Sequence, residues 1–190
     1  YMAGCAQTLS GLQLGCLNST GGVKNIWICS YADFGTYVIN SEDTMITSLT
    51  MTGQKKFYKY DVVAQTASMN ATKTMDPING VAYVATELMI SVKKMGAENR
   101  KELSELTKAP VVCIVEDNNK MKWVCGIDGA MTATAGTGNT GTAMTDANEF
   151  SVTLTDNSPE YAYPLDELEE ILVSDGQKKF RATPIYEWIY

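Results

Sequence analysis

Histidine is absent from this chain of 190 residues. Serine, threonine and cysteine nucleophiles generally borrow a base, and the usual base is histidine. A Ser–Lys device or a carboxylate pair is the remaining route, and no such pair stands out. Five cysteines are present (Cys5, Cys16, Cys29, Cys113 and Cys125), with no C-x-x-C pair among them. Zinc needs four closely spaced soft or imidazole ligands, so no metal is expected. Basic residues are few: 15 Lys and Arg stand against 22 Asp and Glu, giving a net charge of −7 and a pI near 4.6. A wrapped nucleic-acid binder needs clustered cations, and here they are scattered. No apolar run is long enough to cross a bilayer, and no basic-then-apolar segment opens the sequence. We therefore expect no catalytic residues, no cofactor, no membrane partner and no cleaved secretion signal. The acidic balance suits a protein past which DNA slides without sticking.

The chain is not poor in core-forming residues. Hydrophobic content is 45% and charged content 19%, which argues for a folded domain with a sizeable core. Apolar alternation points to a mainly β chain with one or two short helices (α+β). Residues 1–22 read as an N-terminal arm, 23–160 as the core and 161–190 as a C-terminal extension. Within the core, Val23, Asn25, Trp27, Cys29 and Tyr31 share one strand face, and Ile26 and Ile28 the other. Both faces are apolar, so this strand belongs in the interior of a sheet. Short strands follow at 37–39 and 46–51.

The longest β pattern is a hairpin over 57–95. Its arms, 57–75 and 80–95, meet at the turn Asp76-Pro77-Ile78-Asn79-Gly80. In the return arm Val84, Leu88, Ile90 and Val92 face one way, and Tyr83, Glu87, Ser91 and Lys93 the other. An isolated two-stranded ribbon is marginal in water, so a protruding hairpin needs a partner, and an identical copy is at hand. Residues 98–109 read as a short helix with Leu103 and Leu106 buried, a Lys101–Glu105 pair, and Pro110 as its stop. The run 111–115 is a buried strand that turns at 117–120 and returns over 122–127, with Trp123, Cys125 and Ile127 on one face. Cys113 and Cys125 can face each other across this hairpin. A disulfide is open to them, and reduced buried thiols are the favoured reading. In the strand 149–155, Phe150, Val152 and Leu154 point inward. An acidic helix is expected over 166–173, followed by Tyr186, Trp188 and Tyr190 at period two, a spacing suited to docking.

Two motifs look chemical and are not. Gly136-Thr137-Gly138-Asn139-Thr140-Gly141 matches the letters of a dinucleotide-binding loop, which works only between a strand and a helix. Here a strand follows, so a flexible inter-strand loop over 132–148 is expected. Glu116, Asp117, Asn118 and Asn119 lack the spaced ligands of a calcium loop and suit a turn. The ten tyrosines and three tryptophans read as core or subunit contacts rather than as a ligand platform.

Taken together, several segments resemble tail tube proteins of tailed bacteriophages, particularly those of phages and prophages of Bacteroidetes-type hosts. The stretches that carry the likeness are Ala6-Gln7-Thr8-Leu9-Ser10-Gly11, Gly21-Gly22-Val23-Lys24, and 111–119 (VVCIVEDNN) leading to Trp123 and Gly126. Thr134-Ala135-Gly136-Thr137, Gly141-Thr142-Ala143 and Asp146-Ala147-Asn148 continue it into the strand 150–154. Lys120 stands where several relatives carry glycine, which implies a different turn type. The likeness covers about 10–160.

The resemblance implies an antiparallel β-sandwich or barrel with a long protruding hairpin. It implies subunits that form six-fold rings, stacked into a tube through which DNA passes without specific binding. It also implies a virion protein assembled in the host cytoplasm beside other phage tail or head proteins. Lateral contacts are then expected from Thr66, Ala67, Ser68, Met69, Asn70, Ala71, Val84, Thr86 and Leu88. Axial contacts are expected from Leu9, Leu12, Thr137, Asn139, Thr142, Tyr186, Trp188 and Tyr190. The rival expectations are a head decoration, auxiliary capsid or connector ring protein, a ligand-binding β-sandwich adhesin, and an enzyme without histidine.

Overall fold

The structure is a computed structural model, and it describes residues 11, 19–41, 44–53 and 55–165. The expected helix over 166–173, the aromatic terminus and most of the N-terminal arm lie outside the described residues. Among the described residues, eleven strands and one α-helix follow in order. They are β1 (Val23–Ser30), β2 (Phe34–Ile39), β3 (Ile46–Met51), β4 (Tyr58–Tyr60), β5 (Ala67–Asp76), β6 (Val81–Lys93), α1 (Ala97–Leu106), β7 (Val111–Asp117), β8 (Lys122–Cys125), β9 (Thr132–Asn139), β10 (Glu149–Ser158) and β11 (Tyr163–Leu165). The fold is mainly β and open, built on two sheets. A seven-stranded sheet runs β2-β3-β11-β8-β7-β1-β4, and a four-stranded sheet runs β5-β6-β10-β9.

The two sheets share a core. Ile26, Ile28, Val111, Cys113, Val115 and Cys125 of the large sheet meet Ala67, Leu88, Ile90, Val152 and Leu154 of the small one, with Leu106 of α1 at the side. The other face of the large sheet is apolar as well. Cys29, Val112, Ile114 and Val124 pack there with Ile46, Leu49 and Phe57. Both faces of β7 are therefore buried, which is why 111–115 has no polar alternation. Cys113 and Cys125 are opposite each other in the β7–β8 ladder, and both are free buried thiols.

Several expectations are corrected. The arm 57–75 is two strands, not one. The chain turns at Thr66, whose N–H donates to Val63 O at 3.1 Å, and Gln65 has φ +66. β4 accordingly joins the large sheet and β5 the small one. The segment 132–139 is a paired strand rather than a loop. A register shift between Val23 and Asn25 moves Val23 onto the face of Ile26 and Ile28. Tyr31 leaves that strand for a 3-10 turn. Ile127 does not share the face of Cys125, because Gly126 (φ +81) reverses the chain between them. Glu105 pairs with Lys108 at 2.6 Å rather than with Lys101. Finally, β11 extends the core beyond residue 160 to Leu165.

One buried carboxylate has a consequence for stability. Asp156 is 5% exposed and continues the inward row of β10. Its Oδ2 accepts the Gly126 N–H at 2.9 Å, and Oδ1 has no partner among the described residues. Burial raises its pKa above the ordinary 3.8, only partly offset by hydrogen bonds from Thr86 and Gly126. The native state thus holds this proton more tightly than the unfolded chain, so native stability falls as pH rises from the ordinary value through the raised one. Asp156→Asn is expected to raise the melting temperature at pH 7, with the gain shrinking as pH approaches 4. A gain that is flat across pH 4–8 would show that charge burial is not its source.

Candidate assembly surface

Both sheets are open, and the small one has the longer edge strands: β5 and β9 span 10 and 8 residues, β2 and β4 of the large sheet 6 and 3. The small sheet's interior strand β6 is paired along 84–90 on both sides, by β5 and by β10. Its edges, β5 and β9, have no further partner among the described residues. The inward face rests on the core. The outward face is a grid set by register. Ser68, Met89, Thr153 and Ala135 form one row, and Asn70, Glu87, Thr155 and Thr132 the next. Ser91, Ser151 and Thr137 form a third row, in which the Thr137 and Ser151 hydroxyls are 2.6 Å apart. Lys93, Glu149 and Asn139 form a fourth. Glu149 is ion-paired to Lys93 and accepts the Ser91 hydroxyl at 2.5 Å. Those two contacts hold its carboxyl below the usual carboxylate range.

Residues expected at a lateral contact separate into groups. Asn70 and Ala71 are exposed on the β5 edge, and Ser68 is half-buried there. Thr66 precedes the strand, with its hydroxyl spent on Val63 O at 2.7 Å. Ala67 is buried, and Met69 packs on the core with its sulfur 3.4 Å from Cys125 Sγ. Val84, Thr86 and Leu88 are corrected outright. They lie on the inward face of β6 at 0%, 2% and 0% exposure, so no neighbouring copy can touch their side chains. The hairpin also protrudes less than expected. β10 follows β6 as far as Val84, and Lys73 is held by Glu160 at 3.3 Å and by the Tyr161 ring. Only 74–83 extend past the sheet.

The residues expected at an axial contact are also redistributed. Thr137 and Asn139 belong to the edge strand β9 of the small sheet. Thr142 sits in the β9–β10 connection, where its N–H and that of Ala143 donate to Asp146 Oδ2 at 2.8 and 2.7 Å. Those two bonds hold the Asp146 carboxyl below its usual range. Leu9, Leu12, Tyr186, Trp188 and Tyr190 lie outside the described residues. The Gly136–Gly141 motif runs from a strand into a turn, and the next element is the strand β10 rather than a helix.

Sequence reasoning missed a clamp at the start of the core. The side chains of Asp117, Asn118 and Asn119 in the 117–120 turn are bonded to protein. Asp117 Oδ1 accepts the N–H groups of Asn119 and Met121 at 2.8 and 3.0 Å. Asn118 donates to Gly21 O at 2.7 Å, and Asn119 accepts the Thr20 N–H at 2.9 Å. The turn thereby fixes the chain's entry into β1. Among the described residues, no three acidic, cysteine or histidine side chains converge as a metal site. No helix among them is long and apolar enough to cross a membrane.

Comparison with known proteins gives little beyond this geometry. No family model matches the chain, and no solved structure does. Two curated proteins match a short stretch. Each is described as a probable dual-specificity RNA methyltransferase RlmN, one from Geobacillus kaustophilus (strain HTA426) and one from Geobacillus thermodenitrificans (strain NG80-2). Both are 63% identical over 30 residues, which is 16% of this chain and 8% of the relative. A stretch that short carries no activity across.

Proposed function

We propose that this chain is a virion structural protein, the tail tube subunit of a tailed phage. Its small sheet joins side to side with identical copies, and rings of such sheets stack into a conduit for DNA. The open four-stranded sheet is the observation that carries the reading. Natural edge strands are usually blunted by proline, charge or bulges. Here β5 (ASMNATKTMD) and β9 (TATAGTGN) contain no proline, the charges of β5 are confined to Lys73 and Asp76 in its last four residues, and β9 has no charge and one register shift near its start.

Strand direction supports the same reading. All pairings in the small sheet are antiparallel. With four alternating strands the two edges run in opposite directions, so β5 of one copy meets β9 of the next in antiparallel sense. The sheet can then continue around a closed ring that leaves no edge. Its outward face is rich in serine and threonine, and its one lysine in the four rows is neutralised by Glu149. A phosphate backbone passing such a wall finds hydroxyl groups and little positive charge to hold it.

Electron microscopy of the purified protein at high concentration tests the proposal. Stacked rings of fixed repeat are expected. A particle that stays monomeric would sink it, and discrete trimers would move the chain to a decoration role.

A further inference from the structure

Asparagine is a thermolabile residue. It loses its amide when the backbone nitrogen of the next residue attacks its side-chain carbon. A glycine in that next position leaves the attack unhindered, because it has no Cβ and its backbone turns freely. Asn79 is the one asparagine of this chain that glycine follows. Both residues are exposed in the turn 77–80 that joins β5 to β6, and a Cβ at Gly80 would meet nothing within 4 Å. The attack is intramolecular, so it needs only a geometry in which the two atoms meet.

Hydrogen bonding separates this site from the other asparagines. The Asn119 N–H, which follows Asn118, donates to Asp117 Oδ1 at 2.8 Å. The Lys120 N–H, which follows Asn119, donates to Asp117 O at 3.1 Å, and the Arg100 N–H after Asn99 donates to Gly96 O at 3.0 Å. Asn25, Asn70 and Asn157 lie inside paired strands, where ring closure would distort the ladder. Within the turn, Asp76 Oδ1 takes the N–H groups of Ile78 and Asn79 at 3.0 and 3.2 Å. The Gly80 N–H makes no hydrogen bond among the described residues. One restraint remains. The Asn79 side-chain amide donates to Asp76 Oδ2 at 2.5 Å, and that bond must break before the side chain can swing to the Gly80 nitrogen.

We propose that Asn79–Gly80 is a self-modification site, at which Asn79 turns into a carboxylate with time and Asp76 sets the pace by holding the amide. The Gly80 nitrogen, its proton taken by water or hydroxide, bonds to Asn79 Cγ. The Cγ–Nδ2 bond breaks, and the nitrogen leaves as ammonia. Water then opens the resulting five-membered imide at either carbonyl. One product is aspartate at 79. The other is isoaspartate, whose main chain runs through the side-chain carbon and is one methylene longer. Nothing is oxidised or reduced, and water supplies the oxygen that replaces nitrogen. Either product places a second carboxylate where Asn79 had donated to Asp76, so an attraction becomes a repulsion between like charges. The closing pair of the hairpin, Asp76 and Val81, then loses its brace from the turn. This inference concerns the single chain and stands apart from the tube reading.

The test ages the purified protein at mildly alkaline pH and maps its peptides by mass spectrometry. The peptide holding Asn79 is expected to gain one mass unit ahead of every other asparagine, and to split into aspartate and isoaspartate forms. Gly80→Ala should slow the gain at least several-fold, and Asp76→Ala should hasten it. A wild-type peptide that keeps its mass, while the same chain unfolded in urea gains it, would show that the turn protects the bond and overturn the inference. Equal rates in wild type and Gly80→Ala would overturn it too. A rate indifferent to Asp76→Ala would overturn the control assigned to that carboxylate. These readings are the same whether or not rings form.

Discussion

Protein carrying proline at whichever of positions 70 and 71 points its N–H away from β6 is expected to stay monomeric while keeping its fold. Asn70 and Ala71 are adjacent, exposed residues of the edge strand β5. In an antiparallel ladder, alternate residues direct both backbone groups toward one neighbour and then the other. One of this pair therefore bonds to β6, and the other points its N–H outward, where the next copy's β9 would accept or donate. Proline at the outward position removes that donor and puts a ring in the neighbour's path, yet leaves the β5–β6 ladder intact. Proline at the inward position breaks the ladder and lowers the melting temperature, so the two are told apart before assembly is scored.

Met69 is unsuitable for this experiment because its side chain packs on the core. Losing one hydrogen bond costs only about 1 kcal/mol, but the steric block and the repetition of the defect at every subunit contact multiply it. Ring formation by the folded variant should fall at least about a hundredfold, measured by light scattering after size exclusion. A folded proline variant that assembles like wild type would remove β5 from the lateral contact.

Why part of this surface was legible and part was not follows from the residues involved. The clean alternation of β10 and the return arm β6 announced their faces, because one side meets a core and the other does not. The unbroken apolar run of β7 announced a strand buried on both faces. β9 gave no such sign. Its inward positions include Gly136 and Gly138, and a Cβ at Gly138 would meet the Phe150 ring at 2.9 Å. Glycine there is a packing requirement, yet in sequence it reads as a loop. The break at 61–66 was hidden for the opposite reason. Val62 and Thr66 fall in step with Tyr58 and Tyr60, so the period survives although the chain changes sheet. Val84, Thr86 and Leu88 show the limit of alternation, which tells which residues share a face but not which face is outside.

Gly126→Ala is expected to be the most damaging small substitution in the core. Gly126 has φ +81, and a Cβ placed on it would lie 2.8 Å from Met131 N, Met131 Cγ and Val111 O. Those backbone atoms are not free to move. Val111 and Met131 exchange two hydrogen bonds, each 2.8 Å, and Met131 is fully buried. The Gly126 N–H is committed to Asp156 at 2.9 Å, and its carbonyl accepts the Ala130 N–H at 3.1 Å.

Left-handed backbone costs a non-glycine residue on the order of 1 kcal/mol, and overpacking adds about 1–3 kcal/mol. A total of about 3 kcal/mol or more takes a large share of an ordinary domain's stability. Gly53→Ala supplies the control, because Gly53 has φ +69 with nothing within 4 Å of its Cβ position. Urea unfolding midpoints should therefore fall much further for Gly126→Ala than for Gly53→Ala. Equal shifts would mean that the backbone angle alone matters and the close approach does not. The distinction bears on assembly as well. The turn at Gly126 carries the chain from β8 in the large sheet through Met131 to β9, an edge of the small one. A variant that folds only by displacing Met131 should shift that edge and lose rings before it loses secondary structure.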